Sequence, residues 1–207
     1  MKILVFGATG PTGQQIVSQG LELGYKMTAF VRNSEKLAIR HPNLTIITGN
    51  VVDPKKVQDA VKGHDVIMSA LGNGRSLKGD VFSIGSMNIV NAMEESLCKR
   101  IIIMSAFGVG NSINEVPILL KIIYKTLLKK TFVDKAIGER YLKQSNLDWT
   151  LVHPVILANG PKTTNYKTGK CIDIGEIPKI SRADVADFML KLVDDQTSLR
   201  RTHVISY

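Results

Sequence analysis

Short apolar runs alternate with stretches of helical periodicity from one end of the chain to the other. Several of these runs are rich in Val and Ile without polar alternation, which is typical of strands buried on both faces of a parallel sheet. The pattern predicts strands at residues 2–6, 26–31, 44–49, 65–71, 100–106, 149–155 and 202–207. It predicts helices between them at residues 12–23, 34–39, 54–62, 80–98, 117–129, 132–146 and 182–194.

Strand–helix alternation of this kind predicts an α/β fold, a doubly wound parallel sheet with helices on both faces. Asp53 and Ser181 are expected to cap two of the helices at their N-termini. No repeat or linker divides the sequence, so we expect a single domain over residues 1–207. The stretch 157–181 is rich in Gly, Pro, Thr and Lys, and we expect it to form a substrate-side loop or lid.

Three glycines, Gly7, Gly10 and Gly13, follow the first predicted strand at intervals of three residues. In a doubly wound fold this turn binds the diphosphate of a dinucleotide, and the next helix presents free N–H groups to it. Gly7 permits the tight turn, Gly10 lets the backbone approach the phosphates, and Gly13 lets the helix pack closely. The glycines therefore predict a dinucleotide site. The alternative is a tight turn that binds nothing.

The end of the second predicted strand distinguishes NAD from NADP. An acidic residue there binds the ribose 2′-hydroxyl of NAD. This chain has Arg32 instead, with Lys36 one helical turn further on. Because a guanidinium group suits a phosphate dianion, we predict NADP(H) as the cofactor. The alternative is a surface arginine at a strand end.

Composition and charge limit the partners of the protein. The 207 residues are 44% hydrophobic and 22% charged, as in an ordinary globular domain. The formal net charge of +9 favours anionic partners, but no nucleic-acid-binding module is recognisable. We find no membrane span, no signal peptide and too few cysteines for a disulfide framework, and so expect a cytoplasmic protein. The lysine-rich stretch 117–130 fits a core helix with a solvated face, a membrane-surface helix or a protein interface.

The motifs GATGPTG (7–13), SAFG (105–108) and SNLDWTLVHP (145–154) resemble the NmrA-like group of atypical short-chain dehydrogenase/reductases. The similarity covers nearly the whole chain, and within the group it is strongest to flavin reductases of the biliverdin reductase B type. This resemblance implies a Rossmann fold and the NADPH-dependent reduction of a bulky planar acceptor, such as a flavin or a linear tetrapyrrole.

The resemblance also implies which residues contact the cofactor. They are Gly7, Thr9, Gly10, Thr12 and Gly13 at the phosphates; Arg32 and Lys36 at the 2′-phosphate; Asn50 and Val51 at the adenine; Ala70, Leu71 and Gly72 after the fourth strand; and Ser105 and Pro154 at the nicotinamide. Three positions depart from the pattern. Asn50 stands where Asp is usual, and His153 stands where many relatives have Arg before the proline. Ile156 stands where the biliverdin reductase B type has a histidine, which weighs against a tetrapyrrole.

A typical short-chain dehydrogenase transfers protons through a Tyr-x-x-x-Lys pair assisted by a serine. The literal match Tyr166–Lys170 lies in the predicted loop, and on the expected helix Tyr141 is followed four residues later by Ser145. We therefore expect the pair to be absent. An isolated ketone would then be a poor substrate, because its alkoxide needs stabilisation, whereas a reduced flavin or quinone can be protonated by water.

Ser105 and Lys135 are the candidate catalytic residues. Ser105 ends the fifth strand and either orients the substrate or the nicotinamide or caps a turn. Lys135 stands where the biliverdin reductase B type has a histidine; the alternative is a surface ion pair with Glu139, four residues on. His153 is either a polar wall of the pocket or a strand-end histidine with its hydrogen bonds satisfied.

We therefore predict an NADPH-dependent reductase of a small planar acceptor: a flavin, a quinone or a tetrapyrrole. The alternative is a non-catalytic NADP(H)-binding redox sensor or scaffold with a protein partner. An isomerase or epimerase on the same fold is a third possibility. The sequence leaves the oligomeric state open.

Overall fold

The computed structural model describes residues 1–72, 79–110, 113, 116, 121, 126, 128–175 and 178–207. These residues form an α/β fold with five α-helices around an eight-stranded sheet. The strands are β1 Lys2–Phe6, β2 Lys26–Val31, β3 Leu44–Thr48, β4 Val66–Ser69, β5 Arg100–Met104, β6 Asp148–Pro154, β7 Ile156–Ala158, β8 Lys167–Gly169, β9 Lys179–Ser181 and β10 Arg201–Ser206. The helices are α1 Pro11–Glu22, α2 Pro54–Val61, α3 Val81–Glu94, α4 Lys129–Gln144 and α5 Arg182–Lys191.

The order of strands across the main sheet is β3-β2-β1-β4-β5-β6-β10-β8. All neighbours run parallel except β8, which is antiparallel to β10. β7 and β9 form a separate parallel pair. This confirms the predicted doubly wound, Rossmann-like sheet. The strand order reverses between β1 and β4, which is where such folds open a crevice for ligands.

The core has two layers, one on each face of the sheet. Alternate residues of β1 point into different layers: Ile3 packs in the layer of α1 and α5, and Leu4 in the layer of α2 and α3. Because both faces are covered, the central strands need apolar residues at every position, which explains the continuous apolar runs of the sequence.

The predicted elements agree with the structure to within a few residues at most ends, and the predicted caps form. Asp53 accepts hydrogen bonds from the backbone N–H groups of Lys55 and Lys56. Ser181 accepts one from Asp184. The predicted helix 34–39 is wrong, since only a 3₁₀ turn forms, at Ser34–Lys36. The Asn33 side chain caps that turn and the chain is extended again at Leu37.

The predicted helix 117–129 lies almost wholly outside the described residues. The final strand β10 forms as predicted, but it inserts between β6 and β8. Among the helices that the structure describes, none combines the length and the apolar character that crossing a bilayer requires.

The segment 157–181 contains β8, β9 and most of β7, and hydrogen bonds attach its described part to α5. The Asp184 carboxylate accepts hydrogen bonds from the backbone N–H groups of Thr163 and Thr164, both at 2.8 Å. The Tyr166 hydroxyl donates to Asp187 at 2.7 Å. The segment is thus anchored at this point, and its role beside a substrate stays a prediction.

Candidate functional site

A cleft of about 450 Å³ opens at the carboxyl ends of the first four strands. Ten of the residues predicted to contact the cofactor line it: Gly7, Thr9, Gly10, Arg32, Lys36, Asn50, Val51, Ala70, Leu71 and Gly72. These residues come from four separate strand-to-helix connections. The predicted phosphate, 2′-phosphate and adenine regions therefore meet in one continuous space at the crevice of the sheet.

The glycines of the first turn are needed for different reasons. Gly7 has a φ of +76°, and a Cβ atom there would lie 2.6 Å from the carbonyl oxygen of Ala70. A Cβ at Gly13 would overlap the carbonyl group of Gly7. A Cβ at Gly10 would come no closer than 3.2 Å to another protein atom, the Gly7 carbonyl oxygen. The fold therefore requires Gly7 and Gly13, whereas Gly10 keeps its surface clear toward the cleft.

Helix α1 starts at this cleft without a side-chain cap. Its N-cap is Gly10 and its first residue is Pro11, which has no N–H group to leave unpaired. A helix start of this kind attracts anions through its free N–H groups and its dipole. Thr12 and Gly13 are buried in the first turn and do not line the cleft.

Two cations lie where the cleft passes the end of β2. Arg32 follows β2 directly and Lys36 ends the 3₁₀ turn, and both side chains are exposed. In the described part of the chain the ion pairs involve other cations, so no carboxylate neutralises these two. The cleft therefore offers an anion two positive charges at this end.

Packing from α3 holds the predicted adenine side in place. Asn88 donates a hydrogen bond from Nδ2 to the carbonyl oxygen of Val51 at 2.9 Å. A Cβ at Gly85 would lie 2.8 Å from Leu71 and 3.0 Å from Val51, so α3 lies directly against both. Sequence reasoning missed Asn88 and Gly85. Asn50 is exposed, with its side-chain oxygen 3.4 Å from the N–H of Val52.

Ser105 and Pro154 lie at the same edge of the sheet, at the ends of β5 and β6, and are not part of the cleft lining. The N–H of Ser105 donates to Val152 at 2.8 Å, and the N–H of Phe107 donates to Pro154 at 3.0 Å. These bonds hold the SAFG motif alongside β6. The two residues predicted for the nicotinamide thus lie on adjacent strand ends, and their contact with a cofactor stays a prediction.

Glu139 of α4 binds Ser105 and His153 in a buried network. The Ser105 hydroxyl donates to the Glu139 carboxylate at 2.6 Å, and His153 Nε2 lies 2.8 Å from the same oxygen. Lys143 donates to the other oxygen at 2.9 Å. The side chains of Glu139 and His153 are each 2% exposed.

Glu139 is ionised at neutral pH. Burial alone would raise the pKa of its carboxyl group, but the hydrogen bonds and charge of His153, with the bonds from Ser105 and Lys143, lower that pKa to about 2. An ionised carboxylate only accepts hydrogen bonds, so His153 carries its hydrogen on Nε2 and donates. Of the two readings of His153, the satisfied strand-end histidine is thus the one observed.

Lys135 is buried, 8% exposed, and its ammonium nitrogen lies 4.2 Å from the centre of the Phe82 ring. Burial lowers the pKa of Lys135 to about 8, although Glu139 and Asp134 oppose the shift. The alternative of a surface ion pair with Glu139 is therefore wrong, because Lys143 supplies that ion pair. Asp134 instead caps α3 by accepting hydrogen bonds from the N–H groups at its start.

The literal Tyr-x-x-x-Lys match, Tyr166–Lys170, spans β8 and does not lie on a helix. Tyr141 of α4 is 40% exposed. Tyr166 precedes β8 instead of lying on a helix, and burial and Asp187 raise its pKa to about 12. Thr131 stands four residues before Lys135, at the spacing of the missing tyrosine. Sequence reasoning used the spacing of Lys135 and Glu139 only for an ion pair and overlooked Thr131.

A second, mainly apolar groove of about 240 Å³ lies between the connection after β5 and α4. Its lining residues are Gly108, Gly110, Ile113, Lys129, Phe132, Val133 and Ala136. The connection after β5 that carries Ser105 also lines this groove, and Lys129 is part of the lining. Within the described ranges no cluster of His, Cys, Asp and Glu suited to a metal ion is found.

Comparison with known proteins agrees with this geometry. A family model described as NAD(P)H-binding matches residues 7–196. An uncharacterised chloroplastic protein of Arabidopsis thaliana is 29% identical over 99% of this chain and 76% of its own length. Photosystem II assembly factor Ycf39 of Synechocystis is 25% identical over 99% of this chain and 62% of its own. Phenylcoumaran benzylic ether reductase PT1 of Pinus taeda is 25% identical over 97% and 67%.

Solved structures share the fold. ChuY, an anaerobilin reductase from Escherichia coli O157:H7, has a TM-score of 0.84 at 20% identity, covering 99% of this chain and 96% of that one. A short-chain dehydrogenase/reductase from Veillonella parvula in complex with NADP has a TM-score of 0.83 at 22% identity, covering 100% and 94%. With a family match over most of its length and a dinucleotide cleft at the crevice of its sheet, the chain belongs to the NAD(P)H-binding, NmrA-like family.

Proposed function

We propose that the protein is an NADPH-dependent reductase that transfers a hydride to a planar acceptor such as a flavin. The observation that carries the proposal is the cleft that joins the glycine turn to Arg32 and Lys36. Neither cation is neutralised by an acid of the described residues, so a 2′-phosphate would find two charges ready to bind it. NAD lacks that phosphate.

Different residues bind different parts of the cofactor in this proposal. The turn with Gly7, Thr9 and Gly10 holds the diphosphate, and Thr12 and Gly13, which do not line the cleft, contribute through the backbone at the start of α1. Asn50 and Val51 hold the adenine, and residues 70–72 hold the part that leads to the nicotinamide. When bound, the reduced nicotinamide supplies the hydride.

Ser105 and Pro154 orient the nicotinamide in this proposal, and the groove beside α4 binds the acceptor. Its apolar lining favours a flat ring system, and Lys129 favours an anionic substituent on that ring. Lys135, whose pKa burial lowers to about 8, is the proposed proton donor to the reduced acceptor, although its side chain packs on Phe82 and lines neither the cleft nor this groove. The segment 157–181 begins three residues after Pro154, which is consistent with the proposed substrate-side role. A cytoplasmic location and a single domain over 1–207 stay predictions.

The alternative, a non-catalytic NADP(H) sensor or scaffold, is favoured by one observation. Ser105 and His153 are 3% and 2% exposed and already hydrogen-bonded to Glu139, which leaves them little contact with solvent. The assembly factor among the relatives shows that not every similar protein is named as an enzyme. Such a protein would bind NADPH and a protein partner without turnover.

Oxidation of NADPH at 340 nm by the purified protein, with FMN, menadione and biliverdin as separate acceptors, tests the proposal. We expect turnover with FMN or menadione and a drop in kcat of about tenfold or more in Ser105→Ala, the size of one lost hydrogen bond to a reacting complex. Ser18→Ala, the same change at a partly exposed serine of α1, is the matched control and should leave kcat unchanged. Tight NADPH binding without oxidation by any acceptor would reject the reductase and support the sensor.

A further inference from the structure

Three side chains converge on Glu139 of α4. It reaches from α4 to the ends of two neighbouring strands, with Ser105 at 2.6 Å after β5 and His153 at 2.8 Å on β6. Lys143 binds its second oxygen at 2.9 Å. Both carboxylate oxygens are therefore held, and the group cannot rotate without breaking these bonds.

The Ser105 hydroxyl has one O–H group, and it donates this hydrogen bond to Glu139. A hydroxyl group carries one O–H donor and two acceptor lone pairs. While the proton is engaged by an ionised carboxylate, Ser105 Oγ can offer an outside group only its lone pairs. Its natural partner is therefore a donor, and the carboxamide N–H group of a nicotinamide is one.

We infer that Glu139 is a positioning residue that fixes Ser105 as a hydrogen-bond acceptor for the nicotinamide carboxamide. The inference rests on the proposed function, because it requires that Ser105 faces the nicotinamide end of the cofactor. It assigns the orientation of the amide to a buried acid that itself touches neither cofactor nor acceptor. His153 and Lys143 hold the acid, and the acid holds the serine.

The substitution Glu139→Gln tests the direction of the hydrogen bond. A glutamine amide has one oxygen to accept and an NH₂ group that only donates. With its NH₂ toward Ser105, it would occupy a lone pair of Oγ and turn the hydroxyl proton outward. With its oxygen toward Ser105, it would leave the NH₂ group facing the Lys143 ammonium group. The first orientation removes the fixed acceptor, whereas in the second Ser105 still donates to the glutamine oxygen. Glu139→Leu, which offers neither an oxygen nor an N–H group, is therefore the decisive variant.

Affinity for two nucleotides separates this role from a general effect on the fold. NADP⁺ carries the nicotinamide, whereas adenosine 2′,5′-bisphosphate carries the adenine and the 2′-phosphate without it. We expect Glu139→Leu and Ser105→Ala each to weaken NADP⁺ binding about tenfold, the size of one hydrogen bond, and to leave the bisphosphate Kd unchanged. The double variant should bind NADP⁺ no more weakly than Ser105→Ala alone, because Glu139 acts through the serine.

A control substitution and a second variant accompany the affinity measurement. Glu94→Leu, the same change at an exposed position of α3, should alter neither Kd. If Glu139→Leu does not fold, Glu139→Asp withdraws the carboxylate from Ser105 by one methylene group and should give the same selective loss. Unchanged NADP⁺ binding, equal weakening of both nucleotides, or additive losses in the double variant would overturn the inference. If the unmodified protein binds neither nucleotide, the proposed function itself fails.

Discussion

At the scale of single residues, Lys135 is a buried cation whose charge opposes folding. Its charge is removed from water and lies against the Phe82 ring, and burial lowers its pKa to about 8. Shifts of this kind concentrate at functional sites, because a group that serves chemistry is retained at a cost in stability. The sequence identified Lys135 as a candidate catalytic residue. It could not show that the side chain is buried, because burial depends on how α4 packs against α3.

Replacing Lys135 by methionine should stabilise the protein. Below pH 8 the lysine is charged in the folded and unfolded states, and folding bears the full cost of burying that charge. Since one pKa unit corresponds to about 1.4 kcal/mol, the shift from 10.5 to about 8 predicts a gain of up to about 3 kcal/mol at pH 7. Between pH 8 and 10.5 only the unfolded state binds the extra proton, so the gain should fade across that range.

Urea unfolding of Lys135→Met at pH 7 and at pH 10.5 measures this gain. Lys130→Met, an exposed position of the same helix, is the control and should change the free energy of unfolding by less than about 0.5 kcal/mol. A Lys135→Met protein that is no more stable than the original at pH 7 would show that the ammonium group is not buried as described.

Arg32 was predictable from sequence because its position depends only on the end of one strand. Replacing it by alanine should raise the KM for NADPH about 10- to 100-fold, the value of a hydrogen bond to a charged group, with little change in kcat. The KM for NADH should stay within about twofold. Arg140→Ala, an exposed arginine of α4, serves as control. Equal increases for both nucleotides would place Arg32 away from the 2′-phosphate.

Glu139 shows what sequence reasoning could not supply at this scale. Its partners come from β5, from β6 and from its own helix, so the network exists only once the sheet has formed. The only sequence clue is a spacing on one helix. The sequence suggested an exposed ion pair from that spacing, because Lys135 and Glu139 stand four residues apart.

At the scale of elements, the first turn was the most predictable part of the molecule. A strand, three glycines and a helix follow each other within about twenty residues, and local sequence suffices to define them. The 3₁₀ turn at Ser34–Lys36 was mistaken for a longer helix because an Asn cap and two charged residues resemble a helix start. What distinguishes the two is the return to extended backbone at Leu37.

Two alanine substitutions in this turn should have opposite consequences. Gly13→Ala places a methyl group against the Gly7 carbonyl and should destabilise the fold by about 1–3 kcal/mol. Gly10→Ala meets an atom only at 3.2 Å and has an ordinary φ of −73°, so the stability loss should be small. Its methyl group should nevertheless weaken NADPH binding.

Thermal unfolding and NADPH titration of both variants provide the measurement. If Gly10→Ala binds NADPH as tightly as the unchanged protein, the turn does not hold the diphosphate. If Gly13→Ala unfolds at the unchanged temperature, α1 can move away from the turn more easily than the described packing allows.

At the scale of the whole molecule, the alternation of strands and helices predicted the doubly wound sheet, and the structure confirms it. The insertion of β10 between β6 and β8 and the separate β7–β9 pair could not be foreseen. Both depend on pairing between distant parts of the chain, for which short strands of three residues carry almost no local signal. The net charge of +9 suits a protein whose cofactor and proposed acceptor are anionic.

The affinities for NADPH and NADH, measured by calorimetry on one preparation of the unmodified protein, test the central claim most directly. The two nucleotides differ only in the 2′-phosphate, so the ratio reports on the contacts to that phosphate, which we propose are made by Arg32 and Lys36. We expect NADPH to bind at least about tenfold more tightly, since a charge-assisted contact contributes about 1.5–3 kcal/mol. Equal affinities, or tighter binding of NADH, would contradict the assignment of the cleft.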